Sequence, residues 1–341
     1  MKAPACLVLG LGLSLPGLLA WLGAAAETSP TNTAPATRLV VVVGAAGQEE
    51  YGRQFATTAQ RWLQAGAAAH AHCTLIGQAP TNGLTDLDRL QQTLAAEPKQ
   101  SPAPLWLVLL GHGTSDGTQA KFNLRGPDLS ATNLAAWLQP FQRTLVVIDC
   151  SSASAPFLAR LSAPGRVVIT ATRSGFEQNY ARFGQYLAAA INDPHADLDK
   201  DGQTSLLEAF LMASRQVAEF YRGAGRLATE HALLDDNGDK LGTPADWFRG
   251  IVPIKRAREG AALDGLRAQQ LCLVPSPAEQ QLSPALRARR DELELAIAQL
   301  RERKTKLTED DYYRQLETLA LELARISATN TPSVPAPTAR P

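Results

Sequence analysis

The sequence has no surplus of charge of either sign. Its 341 residues carry 33 Lys and Arg against 33 Asp and Glu, a formal net charge of zero. A nucleic-acid binder needs a cationic patch to displace counterions from phosphates. An anionic membrane surface recruits a basic run. The chain offers neither, so nucleic acid is excluded as a partner. Cysteine is scarce as well, with four in the chain. Cys6 sits in an apolar stretch near the start, which leaves Cys73, Cys150 and Cys272. That is too few for a disulfide framework, so the fold must rest on an apolar core. In an exported chain an odd count leaves at least one thiol unpaired. Whether Cys73 and Cys272 pair stays open. No repeat of solenoid type is present.

The N-terminal stretch has the layout of a secretory signal peptide. Lys2 gives a small positive start, the chain from Cys6 to Leu22 is nearly all apolar with Pro16 inside, and Ala24-Ala25-Ala26 precedes Glu27. A small-residue cleavage site after an apolar core predicts removal of residues 1–26 and a secreted or periplasmic protein. The alternative is an uncleaved anchor, since a span needs about 20 apolar residues. Residues 27–37, rich in Thr, Pro and Ala, read as a linker.

From residue 38 the pattern alternates. Apolar runs at 39–43, 73–76, 105–110, 145–148 and 166–170 predict strands, and helical spacing fills 49–64, 84–95, 129–138 and 155–161. Strands apolar at nearly every position must be buried on both faces. The expected fold is therefore α/β, a mainly parallel sheet flanked by helices. Residues 283–326 are helical and charged. Leu286, Leu293, Leu300 and Leu307 repeat every seven, and a second run follows Thr308. Thr308-Glu309-Asp310-Asp311 is an N-cap with an acidic first turn, and Leu307 and Tyr312 stand where a hydrophobic staple stands. A helical hairpin over 276–328 is expected, as a docking or self-association element or as packing on the main domain. Residues 329–341 are Pro-rich and read as a disordered tail.

Two strand ends carry candidate chemistry. The third strand runs into Gly111-His112-Gly113 and the fourth into Asp149-Cys150-Ser151-Ser152. In an open parallel sheet the reactive groups lie beyond the carboxyl ends of the strands. Neighbouring strands would bring His112 and Cys150 to one edge, as a Cys–His dyad requires. A thiol titrates near pH 8.5, so it needs an imidazole or a helix N-terminus to favour the thiolate. The helix starting near Ser154 would help. Cys150 would attack a peptide carbonyl, His112 would protonate the leaving amine, and the amides of Gly113 and Cys150 would hold the oxyanion.

With these residues the chain resembles the legumain (asparaginyl endopeptidase) family of caspase-like cysteine peptidases, in its bacterial form. That clan has His-Gly after one strand and an acidic or small residue before Cys after the next, as in His112-Gly113 and Asp149-Cys150. The segments Phe122-Asn123-Leu124, Gly126-Pro127-Asp128, Ala171-Thr172-Arg173-Ser174-Gly175-Phe176-Glu177, Glu230-His231 and Asp235-Asp236-Asn237-Gly238-Asp239 are similar too. The resemblance covers roughly residues 38–254 and implies a caspase-like peptidase domain over 38–260 with endopeptidase activity. It implies that residues 172–179 line the primary pocket, with Ser174 and Glu177 as candidates. The alternative is that these two cap a helix starting near Glu177.

Residues 197–208 match the twelve-residue EF-hand loop. Asp197, Asp199, Asp201 and Ser205 fall at positions one, three, five and nine, Gln203 supplies its carbonyl at seven, Gly202 stands at six and Glu208 at twelve. A structural calcium ion is expected; the alternative is a solvated acidic turn. Asp235, Asn237 and Asp239 form a second acidic loop that reads as a turn on Asn237-Gly238. His231 could reach the active-site cleft, but a structural role is the expected one.

Three signals are set aside. Gly44-Ala45-Ala46-Gly47 lacks the Gly-Lys-Ser/Thr ending of a phosphate loop, so no organic cofactor is expected. Gly113-Thr114-Ser115-Asp116-Gly117 matches Gly-x-Ser-x-Gly without the strand-to-helix turn a serine nucleophile needs. Trp62, Trp106 and Trp137 read as core. The expected function is a cysteine endopeptidase acting on peptide or protein substrates. Its rivals are a catalytically weak caspase-like scaffold or binding protein, and a transpeptidase in which an amine resolves the acyl-enzyme.

Overall fold

The computed structural model describes residues 36–80, 83–117 and 119–329. The signal or anchor at 1–26, most of the linker and nearly all of the tail lie outside the described residues. Among the described residues no helix is long and apolar enough to cross a membrane.

The chain opens with β1 (Arg38–Val43), α1 (Glu49–Ala68), β2 (His72–Ile76), α2 (Asp86–Ala96) and β3 (Leu105–Leu110). A small antiparallel sheet follows, of β4 (Gly113–Ser115), β5 (Ala120–Phe122) and β6 (Leu129–Ser130). Then come α3 (Ala131–Leu138), β7 (Leu145–Asp149), α4 (Ala155–Leu161), β8 (Arg166–Thr170), α5 (Phe183–Ala190) and α6 (Leu206–Gly223). β9 (Leu233–Asp235) and β10 (Thr243–Pro244) complete the main sheet, whose order is β10-β9-β8-β7-β3-β1-β2. The five strands expected from the sequence all pair in parallel. β9 and β10 add antiparallel pairs at one edge. The expected α/β architecture, a mainly parallel sheet flanked by helices, is the one observed.

Both faces of the sheet are covered, which explains the unbroken apolar runs. Val41, Val108, Leu110, Ile148 and Cys150 face one cluster, with Phe55 and Trp62 of α1, Phe183 of α5 and Phe210 of α6. Val42, Leu107, Leu109 and Val147 face the other, with Leu90 of α2, Leu134 of α3 and Phe157 of α4. Each fully buried Val, Leu or Ile contributes about 1.5–3 kcal/mol, so alternate residues of one strand hold both layers. Trp62 and Trp106 are fully buried, as expected of core residues. Helix starts follow their caps. Thr85 and Asp88 form a capping box on α2, and Ser130 accepts the Asn133 amide at the start of α3.

The C-terminal part is helical, as expected. The short α7 (Leu266–Gln270) and α8 (Pro277–Gln281) lead into α9 (Pro284–Glu302) and α10 (Glu309–Thr329). The Asp311 amide donates to Thr308 Oγ1 at 3.2 Å, the cap read from the sequence. α9 and α10 share an apolar cluster of Leu282, Leu293 and Ile326, with Leu286, Leu319 and Leu323 against it. The hairpin also packs on the preceding segment. Gln270 donates to the Asp291 carbonyl at 2.9 Å and to Glu294 at 3.1 Å. Arg290 is ion-paired with Glu279.

Candidate active site

The register of β3 and β7 sets the geometry. Leu109 lies opposite Asp149, so Leu110 and Cys150 are the next pair. Both turn to the α1/α5/α6 face. His112 follows two residues beyond Leu110, and its ring lies on the same side. It meets Tyr51 at 4.8 Å and Phe55 at 5.2 Å between centroids, both on α1, and Tyr180 at 6.2 Å. His112 Nε2 donates to the Ala46 carbonyl at 3.3 Å, which leaves Nδ1 as the unprotonated nitrogen. Burial lowers the pKa of the imidazole, against a smaller opposing effect of the Ala46 carbonyl. The ring is therefore a neutral, oriented base. The glycine-rich turn after β1, with no phosphate-loop ending, serves here as the holder of His112.

Cys150 differs from the expectation. Its side chain is 4% exposed and belongs to the core cluster. No hydrogen bond joins it to His112 among the described residues. Burial pushes its thiol well above the ordinary value, and the nearby carboxylates of Asp149 and Glu230 push it further. The thiolate is thus disfavoured, where a helix N-terminus and an imidazole were expected to favour it. α4 does begin after Ser154 as expected, but it is short, at seven residues. Gly184, in the first turn of α5, lies directly on the cysteine. A Cβ there would fall 2.6 Å from Cys150 Cβ and 3.0 Å from Sγ.

The expected oxyanion donors are engaged. The Cys150 amide donates to the Leu109 carbonyl at 2.9 Å, continuing the sheet ladder. The Gly113 amide points to Ser152 Oγ at 3.4 Å. Gly113 itself packs on this turn: a Cβ there would fall 2.3 Å from the Ser152 carbonyl and 2.7 Å from Ser151 Oγ. Asp149 Oδ1 accepts the Ser151 amide at 2.9 Å and its hydroxyl at 2.6 Å. The other oxygen, Oδ2, is buried without a partner. Burial raises Asp149 to about 6, partly offset by the two Ser151 bonds. Ser115 lies in β4, paired with Ala120, and not on a strand-to-helix turn.

Ser174 and Glu177 stand on the segment between β8 and α5. The helix starts at Phe183, so neither residue caps it. Ser174 Oγ accepts the Phe176 amide at 3.2 Å. Glu177 is a knot. Its Oε2 accepts the amides of Arg173 at 3.0 Å and His231 at 3.2 Å, and its Oε1 pairs with His231 Nδ1 at 2.6 Å. Its carbonyl accepts the Ala153 amide at 2.8 Å. The Gln178 amide group donates to the Ser115 carbonyl at 3.1 Å. Glu230, 2% exposed, accepts the amides of Arg182 at 2.7 Å and Phe183 at 2.9 Å, and the Tyr221 hydroxyl at 3.1 Å. Tyr180, Gly184 and Glu230 are site residues that sequence reasoning missed. Glu230-His231 gave a motif in which only His231 carried an expected role, a structural one, and nothing local marks Tyr180 or Gly184.

The acidic loop at 197–208 lies between α5 and α6. Carboxylate oxygens of Asp197, Asp199 and Glu208 lie within 4.8 Å of one another. Burial raises the pKa of Asp199, and repulsion from Asp201, Glu208 and Asp197 adds to it. A hard divalent cation would relieve that repulsion, so these three residues fit one. All of the expected ligands also make local bonds: Glu208 accepts the Leu198 amide at 2.6 Å and the Ser205 amide at 2.8 Å, Asp197 the Lys200 amide at 2.6 Å and Asp199 the Asp201 amide at 3.2 Å. Asp201 accepts the amide of Gln203 at 3.0 Å, Gln203 Oε1 accepts the Ser276 amide at 3.2 Å, and Ser205 Oγ donates to Glu208 at 2.8 Å in the capping box of α6. The incoming helix α5 ends at Ala190, short of Asp197, unlike an EF-hand's directly abutting helix. The second acidic loop is a turn, as expected. Asp235 accepts the Gly238 and Lys240 amides at 2.9 and 3.0 Å, and Asn237 accepts that of Asp239 at 2.8 Å. Cys73, Cys150 and Cys272 are all free thiols.

No protein-family model matches this chain, and no curated protein matches it. Among solved structures it is similar to the Drosophila initiator caspase Dronc, at 14% identity over 59% of this chain and 79% of the caspase, with a TM-score of 0.41.

Proposed function

We propose that this chain is a caspase-like protein that binds peptide or protein segments at the carboxyl edge of its sheet without efficient cleavage. The observation that carries this reading is Cys150. It is sealed in the core, flanked by two carboxylates and unbonded to His112. Buried structural cysteines are inert, whereas reactive ones sit in exposed, electropositive surroundings. The caspase-like assignment rests on the order of the parallel strands and on His112 and Cys150 following the third and fourth of them.

A second reading is the cysteine endopeptidase of legumain-like type. It is favoured by His112 and Cys150 lying on one face of adjacent strands, with His112 oriented through Ala46. If Cys150 were freed, Nδ1 of His112 would take the thiol proton as the sulfur attacked a carbonyl carbon. The C–N bond would break to leave a thioester, and the departing amine would take that proton from His112. Water would then release the acid, or an amine would give transpeptidation. In either reading calcium at Asp197, Asp199 and Glu208 would stiffen the α5–α6 junction. The signal would export the protein, and the C-terminal hairpin would take a partner or a second copy.

A mixed peptide library, incubated with the mature chain and with Cys150→Ala, tests the choice. No cleavage by either, together with retained peptides, supports the binding reading. Cleavage lost only in Cys150→Ala overturns it in favour of the peptidase.

A further inference from the structure

Glu230 and His231 are consecutive residues just before β9, and each holds the segment between β8 and α5. The Glu230 carboxylate takes the amides of Arg182 and Phe183. The His231 ring and amide take Glu177. A third tie runs from Gln178 to the Ser115 carbonyl on β4, and a fourth from the Ala153 amide to the Glu177 carbonyl. The segment leads into the first turn of α5, and that turn covers Cys150. Gly184, one residue beyond Phe183, rests on its Cβ, and Tyr180 meets His112 from the same side. The crest is at the surface, with Phe176 84% exposed. A segment with a core residue beneath it, an exposed crest and side-chain ties along its length can open locally without unfolding the sheet.

We propose that Glu230-His231 is a clasp that holds residues 173–184 closed over Cys150, so that access to the thiol is gated by this strap. The sheet buries the backbone of Cys150, and the strap buries its side chain. The gate deepens the reading above, because it concerns exposure of the thiol and not hydrolysis. It holds whether the opened site binds a peptide or cuts one. Glu230 and His231 are positioning residues here.

The test is the rate of alkylation of Cys150 by iodoacetamide in the native full chain, read by mass spectrometry. Cys73, exposed at the far edge of the sheet, is the internal reference. Loss of a charge-assisted hydrogen bond shifts an opening equilibrium by about tenfold. His231→Ala is therefore expected to raise Cys150 labelling about tenfold relative to Cys73. Gln178→Ala, which cuts an exposed tie that the core does not need, is expected to raise it severalfold. Glu230→Gln keeps an acceptor and is expected to label more slowly than Glu230→Ala. Cys150 labelling unchanged in Gln178→Ala and in a folded His231→Ala would overturn the gate. Peptide cleavage is not part of the readout, so failure of the gate and failure of the binding reading are separate results.

Discussion

His112 and Cys150 stand at the ends of adjacent parallel strands and face the same side of the sheet, yet no hydrogen bond joins them. The separation has a packing cause. Gly184 and the core cluster claim the Cys150 side chain, while α1 and the Ala46 carbonyl claim the His112 ring.

The close approach of Gly184 predicts a coupled pair. Gly184→Ala places a methyl 2.6 Å from Cys150 Cβ. Overpacking of this kind costs about 1–3 kcal/mol. Cys150→Gly in the same chain should recover part of that loss, giving a favourable coupling in a double-mutant cycle by urea denaturation. Strict additivity would mean that α5 shifts away freely.

The apolar setting of Cys150 predicts an ordering of substitutions. Cys150→Ser buries a hydroxyl without a partner and should cost about 1–3 kcal/mol. Cys150→Ala should cost less. Equal stabilities in chemical denaturation would indicate that solvent already reaches the thiol.

Asp264 predicts a pH dependence. It is 3% exposed and accepts the amides of Asp236 and Asn237 and the Thr243 hydroxyl. Burial, then the Asp236 and Asp235 carboxylates, raise it from 3.8 to about 8. Between these values the folded protein holds a proton that the unfolded chain has released. Its contribution is complete below about pH 4 and is lost as pH rises through about 8. Asp264→Asn should flatten the fall in thermal stability across that window. An unchanged profile would assign the fall to other groups.

The loop at 197–208 predicts stabilisation by calcium. A ligand at about 100 times its Kd adds about 2.7 kcal/mol to a folded state that alone binds it. Calcium should raise the melting temperature by several degrees, and Asp199→Asn should remove most of that gain. Identical melting curves in calcium and in chelator would leave the loop as a solvated turn.

The parallel sheet is legible in the sequence because strands buried on both faces are apolar throughout, as at 105–110 and 145–148. Strands of two or three residues, such as β9, β10 and those of the small sheet, carry no such signal. Tertiary contacts alone fix them. His112 and Cys150 are legible as residues that end apolar runs. The depth of Cys150 is not legible. It is set by Gly184 in the first turn of α5 and by the core cluster around it, contacts that no pattern local to Cys150 announces. Helix caps are legible at Ser130 and Thr308, where a polar side chain meets a local amide. The role of Glu230-His231 depends on bonds to residues some 50 positions earlier.

The sheet ends at β10, a strand of two residues whose second is Pro244. Proline has no amide hydrogen to offer a neighbouring chain, and two residues are too few to template one. This edge therefore acts as a terminator. A continuous sheet running through two copies of the protein is not templated across it, and among the described residues the opposite edge, β2 (His72–Ile76), is the one left with a strand's length of backbone to offer.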